Sequence, residues 1–250
     1  MLVRRTIIHT KHGRAPMGDP FAGGRAFEQI GDFVRENYLR FDYSKGTKQE
    51  ARFLRKALDL PDGSLVLDVA CGVARHHPLL PWRVVGADLT RGLLGVARKD
   101  RKALGLVRAD ARALPFRGVF DGAWSVCEGA FGLLPDDEAH VSMLRSVREA
   151  LKPGARFVLS AMNAFTMCHD ENFDLRTNVM VDMNRVRSPT GEQTTFSLAT
   201  RAFTPREVLA MGHAAGFEVE SLWGGVTGAY EARALRVDDP EMLVVFRRTF

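Results

Sequence analysis

Three carboxylates stand at matching places in this 250-residue chain. Asp68 lies near the end of the apolar run 64–70 (SLVLDVA), Asp88 closes 83–88 (RVVGAD) and Asp110 closes 104–110 (LGLVRAD). Such short Val- and Leu-rich runs, bounded by turn residues, predict buried strands. An acid just past a strand can accept hydrogen bonds from both hydroxyls of a ribose. It can also accept from an exocyclic amine such as that of adenine. Acids scattered over a surface would not fall at three successive strand ends.

The turn after the first acid, Ala70-Cys71-Gly72, is made of small residues. They let a ligand approach the backbone, and a helix starting there would offer free N–H groups to an anion. A GxGxxG dinucleotide fingerprint is missing, because Ala70 and Ala74 stand where glycines would. That disfavours a nicotinamide-dependent dehydrogenase. An alanine is tolerated there if φ is negative and costly if φ is positive.

Other reactive side chains follow the later strands. SVCEGAFG (125–132) places Cys127 and Glu128 at the end of the fourth. Cys127 reads as a small buried thiol lining the pocket, since buried cysteines are inert. Glu128 could bind an amine, act as a base or cap the turn. His169 and Asp170 follow the fifth strand and form a candidate acid/base pair. Arg75, His76 and His77 read as an exposed helix start, and His140, among acids on a helix, as solvent-facing. None has metal-ligand spacing, so no metal is expected.

The elements that position these groups alternate. Strands are expected at 64–70, 83–88, 104–110, 119–126 and 155–162, with helices at 90–102 and 136–152, the latter stopped by Pro153-Gly154. Before them, helices at 26–37 and 47–59 carry apolar stripes, and Thr47 with Glu50 has capping-box spacing. After them come a hairpin over 178–203, a helix at 204–216 capped by Thr204, and closing strands at 217–223 and 242–248. Strand–helix alternation implies an α/β fold with a parallel sheet and helices on both faces. Right-handed crossovers then gather all strand C-termini on one edge, where ligands of such sheets sit.

Lys and Arg number 35 and Asp and Glu 30, a net +5 within an ordinary globular composition. This excludes wholesale disorder and gives no more than a faint pull toward anions. Three scattered cysteines, Cys71, Cys127 and Cys168, exclude a disulfide framework and fit a reducing cytoplasm. No apolar run reaches the ~18 residues of a membrane span. The start, 1–25, reads as a flexible basic arm.

Taken together, LDVACG, VVGADLT, VRADARALPF, FDGAWSV and ALKPGARFVLSAMN resemble the class I methyltransferases that use S-adenosylmethionine. The resemblance covers about 47–163 in order and spacing, and more loosely the rest. It implies a Rossmann-like, seven-stranded, mostly parallel sheet, with the hairpin inserted after strand five. It divides 26–250 into N-terminal helices (26–60), a cofactor-binding core (64–163), a hairpin lid over the acceptor (164–203) and closing elements (204–250). It also implies S-adenosylmethionine as cofactor and S-adenosylhomocysteine as product. Asp68, Ala70, Cys71 and Gly72 map to the methionine part, Asp88 and Leu89 to the ribose, and Asp110 and Ala111 to adenine, with Val126 and Cys127 completing the pocket. The family's first-loop pattern, D/E-x-G-x-G-x-G, keeps one glycine here, Gly72.

The fourth-strand segment lacks the D/N-P-P-Y/F of enzymes that methylate base nitrogens. SVCEGAFGLL, with Gly228-Ala229-Tyr230, is instead similar to small-molecule members, including aminosugar N-methyltransferases. Methyl transfer to N or O of a small molecule is therefore expected. Glu128 and His169 are the candidate catalytic groups, and Tyr43, Glu128, Trp223 and Tyr230 line the acceptor, with Tyr38 and Phe41 as further walls. No membrane and no nucleic acid is expected, and a homodimer is compatible with the sequence. A catalytically silent cofactor-binding scaffold, motivated by Ala70 and Ala74, and an RNA methyltransferase, motivated by the basic helix 91–102, are the rival readings.

Overall fold

The structure is a computed structural model that describes residues 26–41, 44–100, 105–127 and 129–249. The expected arm (1–25) and the site candidates Tyr43 and Glu128 lie outside these residues. The strands are β1 (Leu65–Val69), β2 (Arg83–Asp88), β3 (Gly105–Arg108), β4 (Phe120–Ser125), β5 (Leu151–Met162), β6 (Phe173–Asp174), β7 (Val179–Arg187), β8 (Gln193–Arg201), β9 (Phe217–Gly225) and β10 (Glu241–Arg248). Seven form one sheet in the order β3-β2-β1-β4-β5-β10-β9. β1 to β5 pair in parallel, and β10 runs antiparallel between β5 and β9. The strand order reverses between β1 and β4, which makes that point the natural ligand crevice.

Alternating side chains divide the core between the two faces of the sheet. Leu67, Val69, Phe157, Leu159, Val244 and Phe246 pack under α4 (Asp137–Ala150) and α6 (Pro205–Ala214). Val66, Trp124, Val158, Leu243 and Val245 face α2 (Thr47–Leu58). Fully buried side chains such as Leu54, Leu67 and Phe157 each contribute about 1.5–3 kcal/mol by leaving water. A third cluster joins α1 (Ala26–Val34), α3 (Arg91–Asp100) and the hairpin through Ile30, Val34, Leu93, Val96 and Val186. Phe33 meets Phe196 of β8 edge-on at 5.9 Å. The hairpin is thereby tied to the N-terminal helix, and it gains a short third strand, β6, beside β7.

Two local expectations are corrected. α4 ends at Ala150 and the chain passes directly into β5. Pro153-Gly154 sits inside that strand as a bulge, where the register jumps from Phe120–Leu151 to Gly122–Arg156. Proline cannot donate to the ladder, and Gly154 takes φ +78°, so the irregularity falls there. Thr47 and Glu50 form no capping box: the N-cap is Gly46, Thr47 Oγ1 donates to Ser44 O at 2.8 Å, and Glu50 turns into the interior. Gly46 is required there, with φ +85° and its would-be Cβ 2.3 Å from the Gly228 carbonyl oxygen. The connection from β1 to β2, where 73–80 read as a short helix or turn, holds a 3-10 turn at His77–Leu79. Thr204 caps its helix as expected, and the structure adds a capping box with Glu207.

Candidate active site

The C-terminal ends of β1 to β4 open into a cavity of about 1450 Å³, mouth included. Asp68, Ala70, Cys71, Gly72, Asp88, Leu89, Asp110, Ala111, Val126 and Cys127 all line it. Its roof comes from outside the sheet: Phe27 and Glu28 of α1, Tyr38, and Leu198 and Ala199 of β8. Leu133, Leu134 and Pro135 form a further apolar wall.

Asp88 holds the centre. Its Oδ2 accepts from the Gly72 N–H and its Oδ1 from the Thr90 N–H, both at 2.7 Å. Burial pushes its carboxyl above the usual range, against the lowering effect of those two N–H groups. The Thr90 side chain also bonds this carboxylate; of its about four lone-pair sites, one remains for a hydroxyl donor in the cavity. The first loop is held in a left-handed conformation: φ is +59° at Ala70, +54° at Gly72 and +54° at Ala74. The glycines of the family pattern are therefore explained by backbone geometry, and both alanines keep that geometry at a steric cost of about 1–2 kcal/mol each. Cys71 is buried beneath the loop, its thiol raised well above its ordinary value by burial and by Asp68 and Asp88.

Asp68 is bonded to His77 Nε2 at 2.9 Å. Asp110 caps the turn Ala111–Ala113 and forms a forked ion pair with Arg112, both partly exposed. Glu28 reaches down from the roof to Arg108 Nη2 at 2.6 Å, and Arg108 Nε donates to Leu89 O at 2.9 Å. This places an acid from α1 over the ends of β2 and β3, a role that no local pattern at Glu28 announces.

At the opposite end lies a buried polar cluster. Glu50, fully buried, bonds Arg75 Nη1, His76 Nε2 at 2.8 Å and the Gly228 N–H at 2.8 Å. Burial pushes its carboxyl up, but the hydrogen bond from His76 and the charge of Arg75 outweigh it and hold it below its usual value. Burial lowers His76, so the ring is neutral at pH 7. Arg75 also donates to Thr47 Oγ1 at 2.7 Å and to Cys127 Sγ at 2.9 Å. Burial raises the Cys127 thiol further than Arg75 lowers it, which leaves a poor nucleophile. Glu50, His76 and Cys127 bring donor atoms within 4.8 Å of one another, a span a metal ion could bridge. The Arg75 guanidinium already bonds two of the three, and its charge opposes a metal cation there.

Several sequence expectations are corrected here. Arg75, His76 and His77 are buried, not an exposed helix start. His140 is fully buried: Nδ1 pairs with Asp136 O at 2.6 Å and Nε2 accepts from the Gly132 N–H at 3.1 Å. His169 is exposed and away from the cavity lining, and Asp170 accepts from the Asn172 N–H instead. Trp223 and Tyr230 do not line the cavity. Trp223 packs edge-on against Phe53 at 5.8 Å. Tyr230 is buried behind Cys127, donating to Glu241 Oε2 at 2.7 Å and accepting from the Cys127 N–H at 3.2 Å. Phe41 packs edge-on against Tyr38 and is not part of the lining.

Comparison with known proteins agrees with this architecture. Residues 67–159 match the family described as methyltransferase domain. A demethylmenaquinone methyltransferase of Bacillus cytotoxicus is 28% identical over 156 residues, 56% of this chain and 62% of that protein. The chain thus matches under two thirds of the length of such curated relatives. Among solved structures, the CcbJ methyltransferase of Streptomyces caelestis superposes with a TM-score of 0.72 at 18% identity, covering 88% of this chain and 98% of that one. The 1,6-didemethyltoxoflavin-N1-methyltransferase of Burkholderia thailandensis, solved with 1,6-didemethyltoxoflavin and S-adenosylhomocysteine, gives 0.61 at 17% identity, covering 95% and 94%. These likenesses show a shared fold. With the matched domain over 67–159 and the strand order 3-2-1-4-5-10-9, the chain is similar in its core to the methyltransferase-domain family and shares the fold of solved S-adenosylmethionine-dependent methyltransferases.

Proposed function

We propose that the chain binds S-adenosylmethionine and transfers its methyl group to a nitrogen or oxygen of a small molecule. One observation carries the reading: Asp68, Asp88 and Asp110, from three successive strand ends, line a single cavity beside a left-handed loop of small residues. The donor set fits the cofactor. Asp88 keeps acceptor capacity for a ribose hydroxyl, Asp110 with Ala111 would read the adenine amine, and the first loop leaves its backbone approachable. Bound S-adenosylmethionine supplies an electrophilic methyl, so the protein's work is alignment and exclusion of water.

The roof suits that work. Tying α1 to β8 closes the cavity from above with Phe27, Tyr38, Leu198 and Ala199, which favours a compact acceptor over a polymer. The relatives with small-molecule acceptors in their names, demethylmenaquinone and 1,6-didemethyltoxoflavin, support the same class. Glu128 is retained as candidate base, because its neighbours Cys127 and Gly129 both line the cavity. The position of His169 on the surface gives it no such support. Incubating the protein with methyl-labelled S-adenosylmethionine and a metabolite extract tests the reading. Label moving into a small-molecule fraction supports it. Binding without turnover across such a screen favours the scaffold, and label in RNA favours the RNA enzyme.

A further inference from the structure

The usual anchor for an anion at this crevice is a helix N-terminus after the first strand. Here the β1–β2 connection supplies only a three-residue 3-10 turn, too short to carry a helix dipole. A fixed cation stands in its place. Arg75 follows the first loop directly, lines the cavity and is 8% exposed.

Its guanidinium is already oriented. Nη1 spends both hydrogens on Thr47 Oγ1 and Glu50 Oε2, and Nη2 gives one to Cys127 Sγ. The Nε–H and the second Nη2–H make no hydrogen bond among the described residues. An arginine fork held on three sides, with two N–H groups left over, is preset for a carboxylate. The other cavity arginine, Arg112, is committed to Asp110 at the far end. Glu50 is fixed in turn by His76 and the Gly228 N–H, so α2 and the segment after β9 both set the fork's position.

We propose that Arg75 reads the carboxylate of the cofactor's amino-acid end and that Glu50 is its positioning residue. This rests on the cofactor reading above and deepens it. Arg75 would thereby distinguish S-adenosylmethionine and S-adenosylhomocysteine from nucleosides that lack a carboxylate.

The test compares two ligands by calorimetry: S-adenosylhomocysteine and its decarboxylated analogue, which keeps nucleoside, sulfur and amine. Arg75→Met alone would strand the buried Glu50 charge and risk unfolding. The variants are therefore Arg75→Lys, which keeps charge without the fork, and the double variant Arg75→Met/Glu50→Gln, which removes both charges. Wild type is expected to prefer S-adenosylhomocysteine by about tenfold or more, as one charge-assisted pair implies. Both variants should lose most of that preference while binding the decarboxylated analogue within about threefold of wild type, under 1 kcal/mol. A preference left intact, or equal losses for both ligands, overturns the assignment of Arg75. Wild type binding neither ligand overturns the cofactor reading itself and the proposal with it.

Discussion

His140 ties the stability of the cavity wall to pH. Its imidazole is wholly buried between Phe131 and Phe203, with ring centroids 5.0 and 5.1 Å away. Nε2 must stay unprotonated to accept from the Gly132 N–H, and Gly132 belongs to the loop whose Gly129, Ala130, Leu133, Leu134 and Pro135 line the cavity. Burial, reinforced by the charge of Arg201 and opposed by the Asp136 carbonyl, lowers its pKa from 6.5 to about 4. The folded value lies below the unfolded one, so the unfolded chain takes up the proton first as pH falls. The contribution is fully present above 6.5 and lost on the way down to about 4. A gap of about 2.5 units amounts to about 3.4 kcal/mol in all, of which about 2 kcal/mol is lost between pH 7 and pH 5.

Urea unfolding of wild type and His140→Gln at pH 7 and pH 5 measures this. His76 is also lowered by burial, and it titrates in both proteins, so the difference between them isolates His140. Wild type should be the more stable at pH 7, and its advantage should shrink by about 2 kcal/mol at pH 5. An advantage unchanged by pH, or an NMR titration of His140 centred near 6.5, refutes the reasoning.

Other outcomes follow from the backbone. Ala70→Gly relieves about 1 kcal/mol of left-handed strain and costs about 0.5–1 kcal/mol of chain entropy, so its stability should stay near wild type. Ala74→Gly also removes a fully buried methyl worth about 0.8 kcal/mol, so it should be the less stable of the two by urea denaturation; the reverse ranking refutes the strain assignment. Gly46→Ala pushes a methyl against the Gly228 backbone at positive φ, and a loss of about 2 kcal/mol or more is expected, read as a drop of roughly 4–8 °C in melting temperature.

The sheet and the three strand-end acids are legible in the sequence because each signal is local. An apolar run ending in Asp88 carries its position with it, and Thr204-Pro205 with Glu207 announces its own helix start. The failures all involve distant partners. Glu50 has capping-box spacing from Thr47, but Arg75 and His76, some 25 residues on, bid for the same carboxylate and win by burying it. His140 sits among acids yet faces inward, because Gly132 and Phe203 need it there. Trp223 and Tyr230 have the composition of pocket walls, while the register of β9 against β10 and the bond to Glu241 turn them into core. The roof made by Glu28, Leu198 and Ala199 depends on α1 meeting β8, a contact between segments about 170 residues apart that periodicity cannot reveal.

The claim beneath all of this is that Asp88 anchors a nucleoside in the crevice where the strand order reverses. Titration of S-adenosylhomocysteine into wild type, Asp88→Asn and Asp88→Ala, with near-UV circular dichroism to confirm folding, tests it directly. One charge-assisted hydrogen bond to the ribose is at stake, so micromolar wild-type binding should weaken by about tenfold or more in Asp88→Ala and by less in Asp88→Asn. Wild type that fails to bind, or folded variants that bind within about threefold of wild type, would contradict the account.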